Sequence, residues 1–497
     1  MVGKVVGVFM EAGLWRHIFW LCFVWLAWVP GAVAVPSFDL GFLASHQETI
    51  TGAQRTTALG PFYESVQMPD GTSMWGIRPF YVQALSKNDE MKHEYYVWPL
   101  ASQTHFKHEL KWRVLLGYGR KGHPGSADSP YMRFNIFPFY FQFRDDAGKL
   151  SVAVFPIGGT VRDVFFYDRI SFVLFPLWAE WQSNEVMSEN VLWPLIAWTK
   201  SMESEDIRRF RILPFYAHSV KKGEYDKRSI LWPIWNMAHY KAEGSKGYAY
   251  VLFPLFGRIN RESEKGWMFL PPFVRFSYGR DGTFVNCPWP FFQYRNTKYM
   301  KKFTVWPLYS QRRVGALMNR YFLWPLGWQR TVEFKKSRVW GFQLVPFFIW
   351  DHMTQKKADG SPGEITHRYA KVWPLFTYRR DKEVRQTRVL ELWPFRDHQG
   401  ELLSWAPFWT LFSHTVVADK GYDTEVLWGL YRQQRKGTER RYNALFPLYD
   451  YERDEEINGG KKEWSFLKGL IGYKREQGIR RYRFLYLITF GGKRAME

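Results

Sequence analysis

The stretch KFTVWPLYSQRR, residues 302–313, decides how the rest of the chain is read. Phe303, Val305 and Tyr309 alternate with more polar neighbours, and β-branched and aromatic side chains suit a strand. Pro307 stands in the middle of it, and proline cannot donate to a sheet ladder. The same pattern recurs about twenty times along the sequence. What repeats is therefore a strand with an interruption built in.

Aligned on these centres, the chain runs from Pro61 and Pro79 through Pro194, Pro233, Pro254, Pro307, Pro325 and Pro374 to Pro394, Pro407 and Pro447, with spacings mostly of 17 to 22 residues. Gly429 in VLWGLY and Gly469 in FLKGLIGY replace the proline at two further centres. About 22 units result, and a period near 20 marks an array in which each unit depends on its neighbours. Turn signals such as PDGT at 69, KKGEYD at 221 and GRDGT at 279 fall between centres, and they supply the positive φ of hairpin turns. One turn and one centre per period predict an extended segment of roughly 12 to 13 residues, and the prolines and aromatics at its middle argue against helix.

Alternation across a strand separates two faces. Phe303, Val305 and Tyr309 share the face of Pro307, as do Leu174, Leu192, Leu231 and Leu323 with their own prolines. That face is apolar over nine residues, with aromatic ends. The other face carries Trp306 and Leu308, or Trp373 and Leu375, at its waist, and polar residues further out. Arg295, Arg312, Arg330 and Arg379 recur there, five residues past a proline. With Trp306, Trp324, Trp373 and Trp393 they form the candidate set for anionic or sugar ligands. Since glycine substitutes for proline, the positions Pro194, Pro233, Pro254, Pro307, Pro325, Pro374, Gly429 and Gly469 serve backbone geometry, as a bulge or bend. The alternative is two short strands meeting at a corner in each unit.

Composition points to order and to an anionic partner. Of 497 residues 46% are hydrophobic and 19% aromatic, and the formal charge is +22. Residues 1–34 read as a secretion signal: Lys4 and Arg16 precede an apolar run that ends at Ala32 and Ala34, a small-residue cleavage site. Its removal leaves a charge near +21. Residues 35–56 are a lead-in, 57–490 a single repeat-built β domain, and 491–497 a tail. Cys22 lies in the signal and only Cys287 follows it, so no internal disulfide is expected.

The fold class expected is all-β, with closure into a large outer-membrane-type barrel favoured over a solenoid or propeller-like array. Alternating outward apolar residues and a mean hydropathy of −0.36 suit a barrel. The last unit, RRYRFLYLITF, places Phe484, Tyr486, Ile488 and Phe490 on one face and resembles the terminal strand of such barrels, although seven residues follow it. Against closure, lipid offers no partner for an unpaired carbonyl, and the units lack the long outer loops of such barrels. No H-E-x-x-H, G-x-S-x-G or phosphate-binding loop is present, and His105 and His108 lack an acidic or cysteine partner. The expectation is a non-enzymatic envelope protein without cofactor or metal, in the outer membrane or else periplasmic or extracellular. Its partners would be membrane, lipid headgroups, lipopolysaccharide or another anionic glycan or envelope polymer, not nucleic acid.

Overall fold

Trp306, Pro307 and Leu308 form a turn. Met300–Val305 and Tyr309–Val314 are separate strands, and Val305 pairs with Tyr309 across the three residues between them. A residue with fixed φ and no N–H suits a turn, where no ladder donor is needed. Elsewhere the turn has four residues: Val191 pairs with Ile196 across Leu192-Trp193-Pro194-Leu195, and Leu192 takes a φ of 48°. A computed structural model of the protein describes residues 37–203, 206–437, 440–455 and 460–491.

These turns correct several expectations. Each period contains two short strands, most of five or six residues, and not one of twelve. Pro194, Pro233, Pro254, Pro307, Pro325, Pro374, Gly429 and Gly469 lie between strands, so none of them bends a continuous one. Leu174, Leu192, Leu231 and Leu323 stand in four-residue turns at positive φ, not on a strand face. Trp306 and Leu308 likewise belong to the turn, and so does Tyr486, between paired Phe484 and Ile488. Parity survives across three-residue turns for a geometric reason: an odd loop makes the residues two before and two after its centre direct partners on one face. Pro394 and Pro407 mark no hairpin. They lie in an insertion between strands Val384–Val389 and Phe412–Val417, which contains the helices Gln399–Ser404 and Ala406–Trp409.

Among the described residues the result is one antiparallel sheet of 46 strands, in which strands follow one another in chain order as a meander, and it is not closed. Strands Ala44–Glu48 and Gln54–Ala58 belong to it; the first falls inside the segment 35–56 and the second straddles its end. The secretion signal and most of the tail lie outside the described residues.

Within the unit Asp39–Glu497 the two ends of the ribbon fold onto each other. Arg432 pairs with Asp39 at 3.1 Å, Tyr442 donates to Asp39 at 2.7 Å, and Arg55 pairs with Glu425. Phe62 meets Phe408 edge-on at 5.2 Å, and Trp98 meets Trp393 at 5.6 Å. As the strand number rises at one end it falls at the other, so the faces that meet are the same face of the sheet. We call it the inner face. Between the ends the sheet is largely one layer thick, and its exposed area shows it. The chain presents 32426 Å², where a globular monomer of this mass presents about 19,000 Å². The 50 residues outside the description could add about 8,600 Å² if fully extended, less than the excess.

Candidate functional site

The proline turns line one edge of the sheet, and outside the fold-back, where Arg78 and Trp98 are buried, many of their residues are apolar and exposed. Leu323, Trp324 and Leu326 are each about half exposed, as are Leu231, Trp232 and Ile234. Neighbouring turns are hydrogen-bonded to each other. The Leu323 N–H donates to the Leu308 carbonyl (2.9 Å), the Trp324 N–H to the Pro307 carbonyl (2.8 Å) and the Leu326 N–H to the Leu323 carbonyl (2.9 Å). Since the third residue, Pro325, has no N–H, every N–H of this turn has a partner. The turns Leu174–Leu177, Leu192–Leu195 and Leu231–Ile234 repeat the scheme. Aromatic contacts follow the same edge: Phe291 to Trp306 at 5.6 Å, Trp306 to Trp324 at 6.1 Å and Phe347 to Trp373 at 6.3 Å.

On the outer face the first row of side chains beside this rim is apolar. Val191, Ile196, Ile212, Tyr216, Ile230, Trp235, Leu252, Phe256, Phe269 and Val274 stand opposite one another in turn. The row resumes as Phe292, Val305, Tyr309, Phe322, Gly327, Leu344, Phe348, Val372, Phe376 and Val389. Two residues further from the rim comes a row of mixed aromatic and cationic character: Arg258, Trp267, Phe276, Tyr294, Phe303, Arg320, Trp350 and Tyr378. Arg258 lies over the Trp267 ring at 4.9 Å. A third row is mixed, with Lys200, Arg208, Lys265, Lys301, Arg313, Arg368 and Arg380 standing among Val220, Asp226, Tyr248, Met318 and Trp340.

Beside the rim the inner face of the same strands is mixed, with Val251, Met268, Tyr321, Trp328 and Ile349 standing among polar residues. Gln293, Thr304 and Ser310 lie on it beside the turns, with Thr304 and Ser310 sharing a hydrogen bond of 2.8 Å. One cross-strand row runs Arg295, Lys302, Arg312, Asn319, Arg330, Gly341, Asp351, Tyr369, Arg379. The four arginines singled out from the sequence therefore lie in a single row. Lys302, between Arg295 and Arg312, is the member that spacing from the prolines does not pick out, because it precedes its centre. Among the described residues Arg295, Lys302, Arg312 and Arg330 form no ion pair. Burial, and then the charges of Arg295 and Arg312, pull the Lys302 pKa down, and its ammonium donates to Gln293 Oε1 at 2.8 Å. Like charges placed directly opposite repel, so this row is poised for an anion. Further along the inner face Ser188, Thr199, Arg209, Ser219 and Lys227 line a hollow of about 1040 Å³.

Arg379 differs. It pairs with Asp381 at 2.5 Å and lines a cavity of about 690 Å³ in the fold-back, with Arg55, Glu64, Arg388 and Asp397. Trp306, Trp324 and Trp373 stand at the rim, away from the arginine row, and Trp393, within the insertion, packs on Trp98. The expected shared Trp and Arg surface is thus divided between an edge and a face.

Charged groups that the sequence reading passed over fill the fold-back. Lys371, fully buried, reaches Asp397 at 2.7 Å and Glu391 at 3.8 Å; Arg388 reaches the same two at 2.8 and 3.3 Å. Glu401, on the inserted helix, is also fully buried, and neither carboxyl oxygen has a hydrogen-bond partner. Burial first, then Glu391 and Asp397, raise its pKa to about 8. Across the cavity burial would raise Glu64, but Arg55 and Arg78 hold it down at about 2. The pairing of residue 39 with 432, or 55 with 425, has no local signal in the sequence.

No family model and no curated protein matches the chain. Among solved structures, Kluyveromyces lactis Hsv2 is similar over 59% of this chain and 95% of its own, at 8% identity and a TM-score of 0.16. So low a score carries no argument for fold or function.

Proposed function

We propose that the chain is a non-enzymatic protein of the cell envelope, lying with its outer face toward membrane lipid and offering its inner, basic face to an anionic glycan or envelope polymer such as lipopolysaccharide. The observation that carries this is two-sidedness: the same strands hold the apolar row of Phe292, Val305, Tyr309 and Phe322 outside and the Arg295, Lys302, Arg312 and Arg330 row, without an ion pair among the described residues, inside. An inside and outside of this kind also suit an outer-membrane-type barrel. Strand length favours a membrane-surface role instead, since five or six residues reach about 20 Å where a spanning strand needs about 9–11 residues. Export and an outer-membrane or periplasmic location are part of the proposal.

The test is equilibrium binding of fluorescent lipopolysaccharide at two salt concentrations. Arg295→Gln, Lys302→Gln and Arg312→Gln together are expected to weaken binding at least roughly tenfold, and more at low salt, because unpaired surface charges act over a Debye length of about 10 Å at 0.1 M. Unchanged affinity in a folded triple variant would refute the assignment of the inner face.

A further inference from the structure

We propose that the proline-turn rim inserts into one leaflet of a membrane without crossing it, to a depth of at most about 10 Å, tilted so that the outer face meets lipid while the inner face, with Gln293, Thr304 and Ser310 beside the rim, stays toward water. The proposal rests on lipid being the outer face's partner and adds which edge enters it, and how far.

Three observations select a lipid leaflet over a second copy of the chain or a protein partner. The first is the order of chemistry with distance from the rim. Exposed turn residues such as Leu323, Trp324 and Leu326 come first. The apolar row of Val305, Tyr309 and Phe322 follows, then the aromatic and arginine row, then the basic row of Lys301 and Arg313. Successive rows are two residues apart, about 7 Å, so the aromatic and arginine row sits about 10 Å above the turn tips. Hydrocarbon, then an aromatic belt, then cations at headgroup level is the order found at a membrane interface, and the depth stays within the ~15 Å of one leaflet.

Secondly, the backbone of the four-residue turns is prepared for a place without water. Lipid can satisfy no N–H, so irregular turns are normally excluded from it. Here every N–H of the four-residue turns at Leu192, Leu231 and Leu323 donates to a carbonyl within the turn or in the turn before it, and the proline has none to satisfy. The carbonyls of Pro176, Pro214 and Pro307 accept in turn from Trp193, Trp232 and Trp324. The proline that looks costly for a membrane strand thereby removes a donor at the very edge that meets lipid. Thirdly, charge complementarity identifies the leaflet surface: the third row and the polar turns are rich in Lys and Arg, which fits anionic headgroups. The opposite edge is richer in polar turns, such as Lys222-Gly223 and Asp359-Gly360, with Phe165, Phe166, Tyr299 and Phe334 among its exposed apolar exceptions, and it stays in water.

Cys287 lies in a rim turn and is exposed, so it offers a native reporter. In the full chain carrying Cys22→Ser, Cys287 is labelled with an environment-sensitive fluorophore and mixed with phosphatidylethanolamine and phosphatidylglycerol vesicles. The expected result is a blue shift, with quenching strongest by nitroxides in the upper half of the acyl chain. A label at Asp359→Cys in a Cys287→Ser background should remain in water on the side of addition. Leu323→Asp with Leu326→Asp, both exposed and free of packing demands, should lower vesicle binding by roughly tenfold or more while leaving lipopolysaccharide binding by the inner face unchanged. Vesicle binding without a shift at Cys287 would overturn insertion and leave a surface electrostatic contact. So would concentration-dependent self-association without vesicle binding, which would make the apolar row an interface between copies. Quenching of the rim label by reagent confined to the vesicle lumen would show that the chain spans, and would equally overturn the proposal.

Discussion

Glu401→Gln should remove an alkaline instability that the wild-type fold-back carries. Three carboxyl groups, Glu391, Asp397 and Glu401, share this site with two cations, Lys371 and Arg388. Asp397 and Glu391 take the cations, and Glu401 is left buried and without partners. Its pKa rises from 4.5 to about 8, so between those values the folded chain holds a proton that the unfolded chain has released. Stability falls as pH rises wherever the native state binds more protons. The shift of 4.5 to about 8 therefore costs about 5 kcal/mol, all of it incurred by pH 8 and none below pH 4.5. Glutamine keeps the shape and cannot ionise. Hydrogen exchange of the inserted helix reads the opening energy there, since Leu402 and Trp405 donate to the His398 and Glu401 carbonyls at 2.9 Å. Corrected for the intrinsic pH dependence of exchange, protection in the wild type should fall by several kcal/mol between pH 5 and 9. In Glu401→Gln it should stay nearly flat. Parallel curves for the two proteins would refute the assignment of a neutral carboxyl at this position.

The fold-back also has an acid limit. Glu64, held at about 2 by Arg55 and Arg78, contributes stability that is present above its ordinary 4.5 and is lost as pH falls toward 2. That amounts to about 3 kcal/mol, and exchange in the strand Gln54–Ala58 between pH 5 and 2 measures it. Arg432→Ala leaves Asp39 and Glu425 facing a buried gap. It should cost about 3–5 kcal/mol, as removal of one partner of a buried ion pair does, read as a lower urea midpoint. Gly159→Ala should destabilise the hairpin by more than about 1 kcal/mol: φ is +128° and the new methyl would lie 2.4 Å from Ala153 Cα. Faster exchange confined to residues 150–173 is the expected signature.

Much was legible in the period of the sequence. The all-β class, the array, the apolar set containing Val305 and Tyr309 and the common row of Arg295, Arg312, Arg330 and Arg379 all follow from spacing and alternation. The direction of the chain at each proline was not legible, because a bent strand and a hairpin with a three-residue turn place Val305 and Tyr309 on one face alike. The ladder that pairs Val305 with Tyr309 and Thr304 with Ser310 separates them, and the bond of Trp324 to the Pro307 carbonyl then joins each turn to its neighbour.

Local patterning therefore determined what each strand presents on either side, since a period of two is a property of the residues themselves. Tertiary structure alone decided that the two ends meet inner face to inner face, bringing Asp39 to Arg432 and enclosing Glu401. Such contacts span nearly the whole chain. They depend on twist summed over dozens of strands, a quantity to which every residue contributes a little and no single motif records.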